Sequence, residues 1–382
     1  MPYIPNVVGN NTLDAATLTA IGGDVGVGVE VVTDNVQTLY TYGNAVLAET
    51  SLTNRWLAAL VNKIVRSRLV DNMYKDRLSP AFKGVLDIGD GVEEVLCAPA
   101  GVKRQGPGGS AEPGNPFAAN MPDVYVKWHV TNANMVYSVR VSRKRLRAAF
   151  NSFGALDAFV QYLVDSLYNG YEWDCQILTK FKLAQKCLAA IGAGTNVPVA
   201  NPVTGDGVEF LAEARTYAEL FKWMSDKYNE AGVPVPMRGE KLYITMTAEA
   251  GAHVDVKDLA AAFNLTYAEF IGRRMPIDSF TFTAAEKARI EEITGLGTGN
   301  FPFDATDEAN LETVIGLMYD IDLLQIYDQH EPELWTNSNG AEAEENFWLH
   351  CDRIVSLSPF ANCVVFTAEA DADGELVEEL TP

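Results

Sequence analysis

The residue types that most often build catalytic or metal centres are sparse in this 382-residue chain. Its four histidines show no HExxH spacing, and its five cysteines stand singly with no CxxC pair. Alternation along a strand explains the spacing of Asp320 and Asp322 better than a catalytic carboxylate pair does. The segment GPGGSAEPG lacks the GKS or GKT ending of a phosphate-binding loop. We therefore predict no catalytic, cofactor-binding or metal-binding residues, and a protein that is not an enzyme.

The composition is typical of a folded protein. Hydrophobic residues make up 48% of the chain and aromatic residues 10%, which suits two or three domains with large cores. No run of about 18 or more apolar residues exists, so we expect no membrane partner. The first residues lack the basic and apolar blocks of a secretory signal. The unpaired cysteines, which suit reduced, buried thiols in a reducing cytosol, are Cys97, Cys175, Cys187, Cys351 and Cys363.

The net charge of −22 is unevenly distributed. Residues 1–190 carry 18 basic and 17 acidic side chains, whereas residues 191–382 carry 11 and 34. Because an acidic protein repels the phosphate backbone, we expect any contact with DNA to be weak and non-specific. The asymmetry suggests that one part faces solvent and another packs against neighbours of mixed charge. A simple need for solubility would also explain it.

The longest periodic segment runs from Asn151 to Ile191 and is predicted to be one helix. Ser152 is a candidate N-cap, and Gly192 and Gly194 supply a stop. Roughly 37 helical residues would span about 55 Å, which exceeds an ordinary compact domain. Gly170 predicts a bend or a close backbone contact. Such a helix is either a long core helix of a large domain or the spine of an elongated assembly subunit.

Residues 84–130 are predicted to form a long β-hairpin. Two strand-like segments, VLDIGDGVEEVLCAP and DVYVKWHV, flank a tip rich in glycine and proline, GVKRQGPGGSAEPGNPF. In the second segment Val124, Val126, Trp128 and Val130 recur at strand periodicity. A two-stranded ribbon is marginally stable alone in water, so an extended one needs a partner surface.

The first 50 residues are predicted to form an extended arm, because they show no strong helical period. Val25, Val27, Val29 and Val31 alternate with glycine or glutamate, as in a strand with one apolar edge. An amphipathic helix follows, capped by Ser51 or Thr53. An arm of this composition has no core of its own and usually lies on another surface.

Basic residues cluster in two places that we expect to meet neighbouring subunits, although solvated surface is the alternative. One is the polar face of the helix near Arg55. The other is a predicted strand at 135–147, MVYSVRVSRKRLR, which is the most basic segment of the chain. The candidate inter-subunit contacts are Lys103 and Arg104 in the predicted hairpin tip, together with Arg140, Arg143, Lys144, Arg145 and Arg147 in the basic strand.

The second half of the chain is predicted to be a mixed α/β module at about 206–340. A proline- and glycine-rich linker at 196–207 precedes it. Its predicted elements are a helix from Val208 to about Tyr228, strands at 241–246, 274–282 and 314–328, and an acidic, glycine-rich loop at 294–310. Two closing strands, separated by Ser358 and Pro359, and an acidic tail complete the chain.

Several segments, in order along the chain, resemble the major head proteins of the small phi twenty-nine-like podophages. They are MPDVYVKWH, SFGALDAFVQYLVDSLYN, HVDVKDLAAAFNLTYAEFIG with IDSF, DIDLLQIYD and SLSPFANCVVF. The resemblance extends from about Ser51 to Phe366. It implies an α+β fold of the Hong Kong 97 coat type, which has an N-terminal arm, an extended hairpin loop, a peripheral domain with a long spine helix, and a mixed α/β axial domain.

The resemblance also implies a domain map. It assigns 1–50 to the arm, 51–83 to a helix and the peripheral-domain entry, 84–130 to the hairpin loop, 131–199 to the peripheral domain with the spine helix, 200–344 to the axial domain, and 345–382 to the return strands and acidic tail. From this map we expect neither the immunoglobulin-like C-terminal domain nor the fused scaffolding segment of some relatives. A separate scaffolding protein and a portal are therefore expected.

The function implied is that of a major capsid protein, with no cofactor. Such proteins assemble in the host cytoplasm, as pentamers and hexamers, into an icosahedral shell around double-stranded DNA in the virion. Two alternatives stay open: an encapsulin-like compartment that loads protein cargo, and an enzyme whose site is assembled from scattered residues. Some shells of this fold are cross-linked between a hairpin lysine and an asparagine. Lys103 and Asn362 are the candidates here, but we predict non-covalent contacts alone.

Overall fold

The structure is a computed structural model that describes residues 15–32, 35–49, 51–53, 55–56, 59, 78–86, 91–101, 122–150, 153–204, 207–237, 242–254, 274–339 and 344–369. The helices are α1 (Ala15–Val25), α2 (Val36–Val46), α3 (Arg143–Ala149), α4 (Phe153–Gly192), α5 (Gly207–Leu220), α6 (Ala248–His253), α7 (Ala284–Thr294) and α8 (Ala305–Glu312). The strands are β1 (Phe82–Val85), β2 (Gly91–Cys97), β3 (Val124–Val130), β4 (Ala133–Ser142), β5 (Val197–Val199), β6 (Leu242–Thr247), β7 (Arg274–Ile277), β8 (Val314–Asp320), β9 (Leu324–Asp328), β10 (Glu333–Asn339), β11 (Glu344–Leu357) and β12 (Cys363–Ala368).

The chain divides into two compact units. The first comprises Met1–Asp76, Met135–Asp174 and Glu331–Cys351. The second comprises Arg77–Asn134, Cys175–His330 and Asp352–Pro382. Each unit is therefore built from three separate stretches of sequence.

The core of the first unit is aromatic. The ring centroids of Trp56 and Phe150 lie 5.2 Å apart, and those of Tyr42 and Trp56 lie 6.3 Å apart. The Tyr42 hydroxyl donates to the Leu18 carbonyl oxygen and accepts from the Trp56 indole N–H, each at 2.7 Å. Burial raises the pKa of Tyr42 to about 12, because the ionised phenolate would lose its hydration. The packing and hydrogen bonds together tie α1 and α2 to one core.

The prediction of an extended N-terminal segment is wrong, because α1 and α2 are helices. Gly22 interrupts the apolar period of α1 because it lies in close contact with another side chain. A Cβ atom built on Gly22 would lie 2.7 Å from the Tyr42 ring. Only residues 26–32 keep the predicted alternation, with Val27 and Val31 buried between exposed neighbours.

In the first unit β10 and β11 form an antiparallel pair, with Glu333 opposite His350 at one end and Asn339 opposite Glu344 at the other. Trp335 lies directly opposite Trp348 and is exposed. The neighbouring positions alternate in burial, and Phe347 and Leu349 belong to the core. The pair therefore has one apolar, buried face and one face that is open in the isolated subunit.

The second unit contains a five-stranded sheet in the order β5–β12–β8–β6–β7. Strand β8 lies in the middle, antiparallel to both β12 and β6. Its residues from Val314 to Tyr319 are all buried. Helix α5 covers part of this sheet, where the Phe210 and Phe366 rings meet edge to face with centroids 5.3 Å apart. The predicted strands at 241–246 and 314–328 and the two closing strands are confirmed, although 314–328 is divided into β8 and β9.

A second set of strands in this unit surrounds β9, which pairs with β1 in parallel and with β11 in antiparallel orientation. Arg353 on β11 and Asp328 on β9 form a buried ion pair, with Nη2 and Oδ2 3.1 Å apart. The Arg353 guanidinium also lies 5.2 Å from the centroid of the Phe82 ring. The paired charges and the aromatic contact fix β1 and β11 to the two sides of β9.

The long predicted helix is confirmed as the 40-residue α4. Gly170 is a close contact, since a Cβ atom there would lie 3.3 Å from the Tyr137 ring. In the second unit the buried Lys180 ammonium lies 3.0 Å from an Asp278 oxygen and 3.2 Å from a Glu286 oxygen. Because an unpaired buried charge is costly, this pairing specifies how α4 meets α7.

Several predictions for residues 200–344 need correction. Helix α5 ends at Leu220 and does not continue to Tyr228. The strand that begins at Arg274 ends at Ile277. Helices α7 and α8 were not predicted, and α8 occupies part of the expected loop at 294–310. Both begin with a capping box, Thr283 with Glu286 and Asp304 with Asp307, in which side chain and backbone bond reciprocally.

Candidate assembly surfaces

The predicted pairing of two hairpin strands is confirmed for β2 and β3, but the predicted start is wrong, because Val85 and Leu86 bond to Asp328 at the end of β9. Strands β2 and β3 form a separate two-stranded antiparallel sheet, here called the ribbon, with Gly91 opposite Val130 and Cys97 opposite Val124. Because side chains alternate along a strand, this register divides the ribbon into two faces. The predicted tip, including Lys103 and Arg104, lies outside the described residues.

One face of the ribbon is apolar and exposed. Trp128 is 61% exposed, and the other exposed apolar residues on this face are Val95, Val124, Val126 and Val130. Together they form a stripe along β3 that Val95 extends onto β2, where the exposed Glu93 lies opposite Trp128; it is here called the ribbon stripe. Soluble monomers rarely expose such a contiguous apolar stripe unless it binds something. The ribbon stripe is therefore the strongest candidate for an assembly contact.

The opposite face of the ribbon is held by polar contacts. His129 is the one buried residue of β3. Its Nδ1 atom lies 2.6 Å from the Ser356 hydroxyl, and its Nε2 atom lies 3.2 Å from a Glu94 carboxylate oxygen. The other Glu94 oxygen accepts a hydrogen bond from the Ser358 hydroxyl at 2.9 Å. We call these four residues the anchor. Sequence reasoning missed it, because its members lie on three distant segments.

Side-chain contacts continue the attachment just beyond β3. The Asn132 side-chain amide donates from Nδ2 to the Val355 carbonyl oxygen at 2.8 Å, and its Oδ1 accepts from the Val355 N–H at 2.9 Å. The Thr131 hydroxyl donates to the Gln329 side-chain oxygen at 3.3 Å. The ribbon is thus attached at one end. The other six residues of β3, Val124–Trp128 and Val130, are exposed.

The basic segment at 135–147 does not form one strand. Strand β4 ends at Ser142, and the five residues that follow begin α3. Arg140 is exposed and lies 3.3 Å from Glu344 of the same chain. Lys144 and Arg147 are exposed on α3, whereas the side chains of Arg143 and Arg145 lie outside the described residues. The structure therefore places a basic strand end next to a basic helix in the first unit.

A second exposed apolar group follows α5. Leu220, Trp223 and Met224 are all exposed there. The helix stops because Phe221 turns into the core and its carbonyl oxygen accepts a hydrogen bond from the Met237 N–H at 2.8 Å. These three exposed side chains form a smaller patch than the ribbon stripe.

A cavity of about 410 Å³ lies beside the C-terminal part of α4 and β12. Its lining includes Tyr217, Tyr228 and Cys363, and Lys186 is paired there with Glu230 at 3.0 Å. Burial raises the pKa of the Cys363 thiol, so it is a poor nucleophile at neutral pH. The cavity therefore holds no activated side chain for covalent chemistry.

The five cysteines are free thiols. The prediction that they are buried is right for Cys175, Cys187 and Cys351 but wrong for Cys97, which is exposed on β2. Asn362 is buried and its amide donates to the Val235 carbonyl oxygen at 3.1 Å. That bond occupies the side chain which a covalent cross-link to Lys103 would need.

Among the described residues, no group of three or more histidine, cysteine or acidic side chains could hold a metal ion. No helix in those residues is long and apolar enough to cross a membrane. The structure places three candidate functional features: two surfaces, the ribbon stripe and the basic segment, and one polar cluster, the anchor.

Solved phage-head structures share this architecture. A chain from the capsid of Staphylococcus phage Andhra matches with a TM-score of 0.55 at 16% identity, covering 79% of this chain and 86% of that one. A chain from a structure described as the head fiber and inner core protein gp22 of bacteriophage P68 gives 0.56 at 13% identity, with the same coverage. The fold is therefore the α+β Hong Kong 97-type fold of phage coat proteins.

Sequence comparison identifies the family. The model of the Phi29-like phage major capsid proteins matches residues 31–367, so the chain belongs to that family. The major capsid protein of Bacillus phage GA-1 is 30% identical over 351 residues, which are 90% of this chain and 66% of that protein. That of Bacillus phage PZA is 25% identical, over 85% of this chain and 66% of its own length. The chain thus spans about two thirds of the length of these relatives.

Proposed function

We propose that this chain is the major subunit of a phage head, which self-assembles as pentamers and hexamers into an icosahedral shell around double-stranded DNA. The ribbon stripe is the observation that carries the proposal. An exposed Trp128 beside four exposed valines has no role in an isolated subunit. In a shell it would be covered by another copy, because apolar burial favours association at about 25 cal/mol per Å².

The proposal includes the domain map and the partners. The arm, hairpin, spine-bearing peripheral domain, axial domain and return strands keep the boundaries expected from the sequence. The candidate inter-subunit cations are Arg140, Lys144 and Arg147 on the described surface, together with Lys103, Arg104, Arg143 and Arg145. A separate scaffolding protein and a portal would complete the head. The net charge of −22 supports a weak, non-specific contact with packaged DNA.

A structural subunit needs no catalytic centre, and we propose that this one has none. The polar groups at the ribbon, the Lys180 cluster and the cavity are satisfied by partners within the chain. In the virion the chain would act through its surfaces alone. Assembly in the host cytoplasm agrees with free thiols at all five cysteines.

Electron microscopy and analytical ultracentrifugation of the expressed full chain test this function. We expect pentamers, hexamers or shells in the native protein. Trp128→Ser removes the largest side chain of the ribbon stripe and should abolish them. Lys127→Ser is the matched control, because its side chain lies on the opposite face of the same strand. A native protein that stays monomeric, or equal assembly by both variants, would contradict the proposal.

A further inference from the structure

The anchor presents a puzzle, since it is the type of polar cluster usually found in an active site. A serine, a histidine and a carboxylate lie in hydrogen-bonding order, as they do in the triads of hydrolases. In those enzymes the imidazole sits beside an open substrate site and moves a proton there. His129 is 1% exposed and both its ring nitrogens already have partners. Its place in the fold therefore fits a holding role.

What the anchor holds is the angle of the ribbon. Strands β2 and β3 are joined to each other by backbone bonds in a register that does not involve the imidazole. His129 instead links the ribbon to Ser356 on β11, and Glu94 links it to Ser358 just after β11. These side-chain bonds join the ribbon to the body of the same unit. Their loss would leave the ribbon paired but free to change its direction.

The location of the anchor gives it leverage. It lies one residue from the end of β3, whereas Val124 lies at the other end, five residues from His129. At about 3.4 Å per residue that distance is about 17 Å, so a small rotation at the anchor displaces the far end of the stripe by several ångströms. Asn132 restrains the chain beyond the end of β3, and its bonds to Val355 do not reach the strands themselves. The side-chain bonds of His129 supply that restraint.

The chemistry of histidine suits this role. A neutral imidazole can donate from one nitrogen to the Glu94 carboxylate and accept at the other from the Ser356 hydroxyl. A protonated imidazole can donate to both oxygens. The anchor is therefore satisfied in either protonation state, which a lysine or glutamine in its place would not match as well. A buried polar network of this kind specifies one arrangement when every member has a partner.

From these contacts we infer that His129 is a positioning residue for shell assembly: with Glu94, Ser356 and Ser358 it sets the direction in which the ribbon presents its apolar stripe to a second copy of the chain. The inference rests on the proposed function, because the stripe is taken to be the contact. Trp128 makes that contact, and His129 determines where it is made. The two roles predict different outcomes in one measurement.

The measurement is the distance between a spin label on the ribbon and a second label on the rest of the same unit. It is made by pulsed electron paramagnetic resonance on the unassembled full chain. Cys97 is a native exposed thiol on β2. Glu292→Cys supplies the second label, on the exposed side of α7 in the same unit. The partly exposed Cys363 is replaced by alanine to prevent a third label. The native anchor should give one narrow distance distribution.

His129→Ala should broaden that distribution about twofold or more, since a local restraint is removed while the strands stay paired. It should also reduce the yield of shells. His129→Gln, which keeps one donor and one acceptor, should recover part of both. Trp128→Ser should lose shells while keeping the narrow distribution. The control is His330→Ala, which removes a histidine that lies 3.1 Å from Asp352 in the same unit and is not a member of the anchor.

The outcomes separate the two ideas. An unchanged, narrow distribution in His129→Ala would overturn the positioning role even if shells were lost. If His129→Ala does not fold, Ser356→Ala removes one bond at a half-buried position and should broaden the distribution to a smaller extent. Native protein that forms no oligomers would defeat the proposed function, but the distances would still decide whether the anchor directs the ribbon.

Discussion

Strands β3 and β8 are both rich in apolar residues, yet the folded chain treats them in opposite ways. Strand β8 lies between β12 and β6, and its residues from Val314 to Tyr319 are buried. Strand β3 pairs with β2 alone and buries only His129. In β8 the buried residues complete the core of the subunit. In β3 the buried residue is polar, and the apolar ones remain available for another molecule.

The sequence carries this difference in its periodicity. VIGLMY is a continuous apolar run, as expected for a strand covered on both faces. VYVKWHV alternates, which predicts one apolar face and one polar face. Alternation does not say which face is covered. In the ribbon the polar face is held by the body of the subunit, and the apolar face is left open.

The largest expected difference between the two regions concerns aromatic truncation. Phe366→Ala on β12 removes a fully buried ring that packs on Phe210, and it should lower the free energy of unfolding by about 3–5 kcal/mol. Trp128→Ala removes a larger ring from the ribbon, but it should change that free energy by no more than about 0.5 kcal/mol. Denaturant unfolding of unassembled subunits measures both.

The result would contradict the comparison if the order were reversed. A large loss of stability in Trp128→Ala would mean that the ribbon stripe is covered within the subunit. A small loss in Phe366→Ala would mean that the β12 layer is not part of the cooperative core. The same titrations give the denaturant slope, which should stay unchanged if each variant unfolds the same surface.

A second, smaller contrast uses one tyrosine from each region. Tyr319 on β8 is fully buried and shares a hydrogen bond with Thr245 at 2.9 Å. Tyr319→Phe should cost about 1–2 kcal/mol, because the Thr245 hydroxyl is left without that partner. Tyr125→Phe on the exposed β3 should be neutral within about 0.5 kcal/mol. Equal effects at both positions would show that burial does not separate the strands.

The Tyr319 contrast also has a direction in pH. Burial raises the pKa of Tyr319 above its ordinary value, and the hydrogen bond with Thr245 lowers it by less. The folded state therefore favours the neutral phenol. Its contribution is complete below about pH 10 and is lost as the pH rises above that value. Native protein should lose stability above pH 10 more steeply than Tyr319→Phe does; parallel curves would exclude this account.

The fold was predictable where periodicity and resemblance agreed. The apolar period from Asn151 to Ile191 is long and has a glycine stop, and α4 ends at Gly192 as predicted. Helix α1 was missed because Gly22 interrupts its period for a reason that appears only in three dimensions, its contact with Tyr42, and Gly43 in α2 has a similar contact with Phe150. Helices α7 and α8 have weak apolar faces, although their capping boxes were visible in the sequence as Thr283 with Glu286 and Asp304 with Asp307.

The assembly surfaces were predictable only in part. Alternation in DVYVKWHV predicted one apolar face, because four of the five residues of the ribbon stripe lie on β3. The anchor joins Glu94, His129 and Ser356, and the hydroxyl of Ser356 is 227 positions from His129. No local pattern encodes such a contact. The basic segment was recognised from composition, but composition did not show that it changes from strand to helix after Ser142.

The smallest expected effect tests whether charge contributes alongside the apolar stripe. Arg140 and Glu344 lie 3.3 Å apart on the first unit, and the Arg140 side chain is exposed. Exposed pairs of this kind contribute about 0–1 kcal/mol, so a double-mutant cycle with Arg140→Ala and Glu344→Ala should give a coupling below about 0.5 kcal/mol in the unassembled subunit.

In assembled shells, Arg140→Ala tests whether Arg140 also contacts a neighbouring subunit. If Arg140 meets an acidic surface of another copy, native shells should loosen in molar salt, because the Debye length falls to about 3 Å there. Shells of Arg140→Ala should already be looser at low salt. If neither salt nor this substitution changes shell stability, Arg140 is not an inter-subunit contact. The apolar ribbon stripe would then be the contact that holds the shell together.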